Sequence, residues 1–527
     1  MAHKGTSLST MKLDLLHADG AGSSKKPSII KSRHDEYSVG ETTGGLSVLF
    51  TVLCIVDLFG VFPVVTLPKS IISCGIYGVP LVVSVFALQL YTAMLLGRSW
   101  LLAQQITPSI REKNRFPYAA VAELAFGKHT RRLVTFLIDA TVFGAGIPNF
   151  ILASQSLQLF WWKITRGEVG VTYCVWMVLI ALLLLPVMWL GSPKDMKPLA
   201  LASVVIVTTV AVSTWTCIIT DDVSPPSAGG LIEYMPTAQD FLIAYGIIAF
   251  QFDIHPLLLT IQVDMKDSRR INAAVISGFA ITGLMFAVTT VLAANRYGAR
   301  VDNNILQGIP PSITLYVVAL LVTLQLCLSS AVGNSALFQH IEDLFKIPKE
   351  FCVQRCLIRS SIIALAVFLG ESVPRFDLVM GLVGSTLTGP LMFIFPPLFF
   401  LKLCYMKSNI KEFSANNNSV NDFSNGVTQN GDYAQNGGSF PLIFTNALET
   451  KYKTFSYEVG NKEVEDYTIQ WYDVLLAIVV MLMGMAATIV ATYSSWSDTI
   501  TYATFSPPCL VNATIAARSF LTVTQPT

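Results

Sequence analysis

Tyr245-Gly246-Ile247-Ile248-Ala249-Phe250-Gln251-Phe252-Asp253-Ile254-His255-Pro256 places a glutamine, an acid, a histidine and a proline inside a run that is otherwise apolar from about residue 238 to 262. A run of that length crosses the hydrocarbon core of a bilayer as a helix. A centred charge costs roughly 2.5–3.5 kcal/mol on insertion scales, and a proline removes one helix hydrogen bond. The helix is therefore predicted to break near its middle. Asp57-Leu58-Phe59-Gly60-Val61-Phe62-Pro63 has the same character inside the apolar run 46–73, with an acid, a glycine and a proline near mid-membrane.

Outward from these two stretches, the chain of 527 residues is 53% hydrophobic and 13% charged, against roughly 25% charged in soluble domains. Its apolar residues fall in eleven blocks: 46–73, 79–103, 133–161, 171–190, 198–219, 238–262, 271–294, 312–340, 357–372, 378–404 and 471–493. The predicted fold class is an all-α polytopic membrane protein with about eleven transmembrane helices. Residues 1–44 are polar, without an apolar core or small-residue cleavage site, and are expected to form a disordered cytosolic tail. Placing that tail in the cytosol puts 28 of the 35 Lys and Arg on the cytosolic side, as the positive-inside rule requires. An odd number of spans then leaves the C-terminus extracytosolic. The expected organisation is a ten-helix core at 45–404, a partly disordered cytosolic loop at 405–470, an eleventh helix at 471–493 and an extracytosolic tail at 494–527. The loop opens with an Asn/Ser/Gly-rich stretch at 414–439 that is too polar to pack. The sequon Asn512-Ala513-Thr514 lies on the outer tail and is a candidate for glycosylation, whereas that at Asn417 lies on the inner loop.

A net charge of +1 without a basic stripe gives no sign of a nucleic-acid partner, and no protein partner is indicated. The nine cysteines show no CxxC pair and no metal-ligand spacing. Cys174, Cys217 and Cys509 are placed near an oxidising outer face, where two of them have the opportunity to pair. No metal cluster, nucleophile elbow or paired carboxylates at one face point to an enzyme, and no filter motif points to a channel. No cofactor is expected.

The spacing of the two breaks carries more than either break alone. They fall in the first and sixth spans, corresponding members of two five-span halves, and an odd number of spans per half inverts the second. Inverted repeats with discontinuous first helices hold a solute at the midplane, where half-helix N-termini face an anion and free carbonyls a cation. A zwitterionic amino acid offers both charges. Two unrelated proline kinks are the alternative. Candidate substrate-binding residues are Asp57, Gly60, Val61, Phe62, Phe250, Phe252, Asp253 and Thr141. Candidates for coupling to a proton or sodium ion are His255, Asp253, Ser329 and Ser330. An imidazole titrates near neutrality and suits proton movement, but His255 also suits a purely structural tether for unwound backbone. Thr141, Gly144, Gly146, Pro148 and Asn149 form a small-residue face fit for close helix packing or a pocket wall. Asp139, about two turns into its span, is expected to reach the inner face or a loop.

The segment YGIIAFQFDIHPLLLTIQVDMKD, Tyr245–Asp267, resembles the amino acid/auxin permease family within the amino acid–polyamine–organocation transporter superfamily. Leu67-Pro68 followed by Gly75, Ala125-Phe126-Gly127, Pro193-Lys194-Asp195-Met196, Ile341-Glu342, Pro374-Arg375-Phe376 and Leu382-Val383-Gly384-Ser385 also fit. The resemblance runs over about 44–404 and resumes at 471–493. It implies a leucine-transporter-like 5+5 inverted repeat with an eleventh span. It further implies proton- or sodium-coupled movement of neutral amino acids, in some branches in vesicular or lysosomal membranes. The family's first break usually reads Gly-small-Gly shortly before Leu-Pro; here one glycine, Gly60, remains and Phe62 follows it. Glycine is used where a ligand must approach backbone, so Phe62 is expected to narrow the pocket toward small substrates. The expected function is proton-coupled symport of small neutral amino acids, in the plasma membrane rather than a lysosomal or vesicular one. The altered glycine motif leaves open an amino acid sensor on the same scaffold, without efficient turnover. Tyr452-Lys453-Thr454-Phe455 has the form of a tyrosine-based sorting signal.

Overall fold

The computed structural model describes residues 45–113, 115–165, 171–190, 196–222, 236–348, 351–409 and 471–502. The expectations for the N-terminal tail, the loop beyond residue 409, Cys509, Asn512 and the tyrosine signal lie outside these residues. The first span is made of three pieces, α1 (Val48–Phe59), α2 (Phe62–Val65) and α3 (Leu67–Ile72). It is followed by α4 (Gly78–Ile106), the short α5 (Pro117–Phe126), α6 (Lys128–Ile164), α7 (Tyr173–Leu190) and α8 (Met196–Thr220). The sixth span consists of α9 (Ala238–Gln251) and α10 (His255–Val263). Then come α11 (Ile271–Tyr297), the short α12 (Ile305–Gly308), α13 (Ile313–Leu344), α14 (Val353–Ser372), α15 (Phe376–Asn409) and α16 (Trp471–Tyr502). Among the described residues, nine helices are long and apolar enough to cross a bilayer, and two shorter apolar helices, Val48–Phe59 and Tyr173–Trp189, occupy the remaining apolar blocks.

The helices start where the sequence supplies caps. Ser47 accepts from the Phe50 N–H at 3.3 Å, Ser312 accepts from the Leu315 N–H at 3.1 Å, and Thr237 with Asp240 forms a reciprocal capping box. Pro63, Pro68 and Pro256 each stand in the first turn of a new helical segment, where a missing N–H costs no ladder bond. The breaks are therefore true interruptions rather than kinks. α15 also contains π-helical turns at Gly384–Thr388 and Pro390–Ile394.

The two interrupted spans run in opposite directions. Leu46, just before α1, pairs with Met265, just after α10; its N–H donates to the Asp264 carbonyl at 2.7 Å and its carbonyl accepts from the Lys266 N–H at 2.9 Å. The start of the first span and the end of the sixth therefore meet at one face. α6 and α13, the third spans of the two halves, pack along one another, and α7 packs against α14, the corresponding fourth pair. Leu183, Val205, Leu284 and Ile489 stand more than half exposed on the outer surface, as lipid-facing side chains do. Small residues permit the closest approaches. A Cβ on Gly384 would lie 2.0 Å from the Gly246 carbonyl oxygen, and one on Gly246 would lie 2.7 Å from that of Gly381. α9 and α15 thus touch backbone to backbone beside the sixth-span break.

Gly384→Ala is expected to cost roughly 1–3 kcal/mol or more through overpacking, lowering the detergent-solubilised melting temperature. Gly333→Ala, whose Cβ would meet nothing within 4 Å, serves as the comparison and should melt like the parent.

Candidate functional site

Helix α1 stops because Gly60 adopts φ +60° and ψ −149°, a conformation that side chains disfavour. A Cβ there would also lie 2.9 Å from the Gln325 Nε2. The Gly60 N–H closes the helix on the Val56 carbonyl at 3.2 Å, and Phe62 opens the next helical segment. In the sixth span α9 ends at Gln251, and the Phe252 N–H reaches back to the Ile248 carbonyl at 3.3 Å. The Asp253 carboxylate accepts from the His255 N–H at 3.2 Å, placing an acid on the N-terminus of α10, where the helix dipole favours it.

Side-chain amides satisfy carbonyls around the breaks. Gln251 Nε2 donates to the Phe59 carbonyl and Gln89 Nε2 to the Ala249 carbonyl, each at 3.0 Å. The first bond links one broken span to the other. Sequence reading placed Gln251 in the break without giving it a role and passed over Gln89 and Gln325, because a glutamine in an apolar run carries no periodic signature. Their depth in the membrane was the available signal, since a buried amide there must find a partner.

A cavity of about 120 Å³ opens between the two breaks and the third and eighth spans. Of the residues singled out in the sequence, Gly60, Phe62, Thr141, Phe250, Asp253, Ser329 and Ser330 line it. Phe62 and Phe250 meet edge to face across it, with ring centroids 6.4 Å apart. Asn149, Gln251, Gln325 and Asn334 add to its polar wall. Four other singled-out residues lie elsewhere. Val61 is buried, Phe252 packs among Phe59, Phe86 and Phe279 with centroids 5.0–6.3 Å away, and Asp57 is buried behind the cavity wall. His255 is fully buried; its Nε2 lies 3.1 Å from the Thr92 hydroxyl and its Nδ1 3.6 Å from the Asp253 carboxylate.

Asp139 pairs with His340 at the end of α13, beside the Arg115–Asp343 ion pair at 2.7 Å. Cys174 is disulfide-bonded, whereas Cys217 is a free thiol.

The model of the family described as "Transmembrane amino acid transporter protein" matches residues 45–420, most of the chain and all of the cavity. The chain belongs to this family. Its fold and relatives are those of transporters rather than enzymes. Amino acid transporter AVT1B of Arabidopsis thaliana is 23% identical over 297 residues, covering 55% of this chain and 54% of the relative. The match thus spans about half of that relative's length. Amino acid transporter AVT1H of the same plant is 23% identical over 351 residues, 64% of this chain and 78% of the relative. Sodium-coupled neutral amino acid transporter 4 of Pongo abelii is 27% identical over 172 residues, 31% of each chain. Among solved structures, that of MhsT in complex with L-phenylalanine superposes with a TM-score of 0.50 at 12% identity, covering 85% of this chain and 98% of that one. This likeness supports the leucine-transporter-like fold.

Replacing Phe62 by Gly removes half of the aromatic pair and should admit larger neutral amino acids, which would then raise the melting temperature of the variant and not of the parent. An unaltered ligand profile would argue against the Phe62–Phe250 pair as the size limit.

Proposed function

We propose that this protein is a secondary active transporter that moves small neutral amino acids across a membrane by symport with protons. The observation that carries the reading is that both helix interruptions open into one cavity. A substrate carboxylate fits the Phe62 amide at the start of α2, and its ammonium group fits the Asp253 carboxylate and the Ser329 and Ser330 hydroxyls. The Phe62–Phe250 pair leaves room for a short side chain only. The relatives named amino acid transporters support the substrate class.

A proton is favoured over sodium as the driving ion, because a hard cation takes about six or more oxygens. Two adjacent serines supply few. The charge bias of the loops supports a cytosolic N-terminus and an extracytosolic C-terminus, with Asn512 available for glycosylation. We assign the protein to the plasma membrane.

Uptake into proteoliposomes across a panel of amino acids, at acid and at neutral external pH and with and without sodium, tests this. The expected result is accumulation of the small neutral members driven by an inward acid gradient without a sodium requirement. Saturable binding with no accumulation under any gradient would replace transport by the sensor reading.

A further inference from the structure

Asp57 is one of two acids near the helix breaks, and the cavity does not use it. Only 6% of it is exposed. Its carboxyl is hydrogen-bonded by Ser203 of the fifth span, and its Oδ1 has no hydrogen-bond partner. The helices against α1 are α8, α10, α11 and α13, and none brings a charged or thiol group into interaction with Asp57. From α8 comes the Ser203 hydroxyl. On α11 the neighbours are apolar: Gly278 lies against Ile55, and Phe279 against Phe59. That helix's Arg296 and Tyr297 stand at its far end, where the Tyr297 hydroxyl bonds Asp221 at 2.8 Å. His255 of α10 faces Thr92 and Asp253. α13 presents Gln325, whose Nε2 donates to the Ser203 Oγ at 3.3 Å.

We propose that Asp57 is the group that takes up the transported proton, and that Ser203 and Gln325 relay its protonation state to the cavity. This rests on the symport reading above. An ionised carboxylate without a counter-ion is costly in the membrane interior, and adding a proton removes that cost. A metal cation is a poorer fit, because the carboxylate, one hydroxyl and the Gln325 Oε1 fall short of the roughly six oxygens it takes.

The relay follows from the donor inventory. Ser203 has one proton to give; its oxygen accepts from Gln325, so its O–H goes to Asp57. When Asp57 binds a proton, the carboxylate becomes a carboxylic acid with an O–H donor of its own. The Ser203 oxygen can accept from that donor as well as from the Gln325 amide, which releases the Ser203 O–H from Asp57 toward the unpaired Gln325 Oε1. Gln325 lines the cavity, and its Nε2 lies 2.9 Å from where a Cβ on Gly60 would stand. A change at Asp57 is therefore delivered to the hinge of the first span and to the cavity wall in two hydrogen bonds. The chemistry is the transfer of one proton on and one proton off.

The test uses the full chain in proteoliposomes containing a pH-sensitive dye, with the amino acid that the parent accumulates most strongly. At one proton per solute, a gradient of one pH unit sustains about tenfold accumulation. In Asp57→Asn that ratio should fall to about unity and solute-dependent proton influx should vanish, while solute exchange across the membrane remains measurable. Ser203→Ala keeps the acid but cuts the relay, and should likewise lose accumulation. Thr208→Ala removes a hydroxyl of the same helix that is exposed and bonds only its own backbone, and should behave as the parent. Melting curves establish that each variant is folded; if Asp57→Asn is not, the contrast between Ser203→Ala and Thr208→Ala decides. Normal accumulation and proton influx in folded Asp57→Asn would overturn the assignment, as would identical behaviour of the Ser203 and Thr208 variants. Loss of proton influx in His255→Gln with its retention in Asp57→Asn would move the proton to the histidine. A parent that neither binds nor accumulates any amino acid would instead sink the transport reading itself.

Discussion

The Gln251 amide donates to the Phe59 carbonyl at 3.0 Å, and this bond joins the two spans where each has given up part of its own ladder. In an apolar solvent an unsatisfied carbonyl costs several kcal/mol. A single broken helix would carry that cost alone. Two broken helices set side by side can meet it together, with a side chain from one closing the backbone of the other. Gln89 performs the same service for Ala249 from the second span. With these amides spent on backbone, Gly60, Phe62 and Asp253 are left at the wall of the cavity.

Around this centre the structure divides into parts that are held and parts that have room. The sixth span is pressed backbone to backbone against the tenth at Gly246, Gly381 and Gly384, so its upper half is fixed. Leu46 is tied to the backbone on either side of Met265, so the start of α1 and the end of α10 are joined. Gly60 is different. It touches the flexible end of Gln325 rather than backbone, and flexible contacts yield where backbone contacts do not. The first-span hinge is thus the softer of the two breaks.

Much of this was legible before any coordinate. Blocks of apolar residues set the number of spans, because lipid enforces helix length and penalises charge. Gly60, Pro63, Asp253 and Pro256 marked the breaks, since each residue type conflicts locally with a helix in lipid. The wall of the cavity was partly legible for the same reason: Phe62, Phe250, Thr141 and Ser329 stand at the depth of the breaks. Rotation about the helix axis was not. Phe250 and Phe252 are two residues apart and look alike in the sequence, yet one faces the cavity and the other joins Phe59, Phe86 and Phe279. Which way each points depends on where α9 stops, and that is decided by Gln251 and its distant acceptor. Asp139 needed His340, 201 residues away, and no local pattern announces such a partner.

The same reasoning separates the two acids nearest the breaks. Asp253 sits on the N-terminus of α10, accepts from the His255 N–H and faces the cavity. The N-terminus of α10, the His255 N–H and the opening to solute all meet at its carboxyl group, so it is placed to receive an ammonium group. Asp57 lies along the body of α1, with Ser203 as its hydrogen-bond partner and no cation in reach. Nothing fixed compensates its charge. A group that must answer to an external proton cannot also be held permanently ionised by its surroundings, and a group that must hold a substrate cation cannot readily be neutralised. The two interruptions provide one acid of each kind, joined through Gln325 and Gly60 to the same small space.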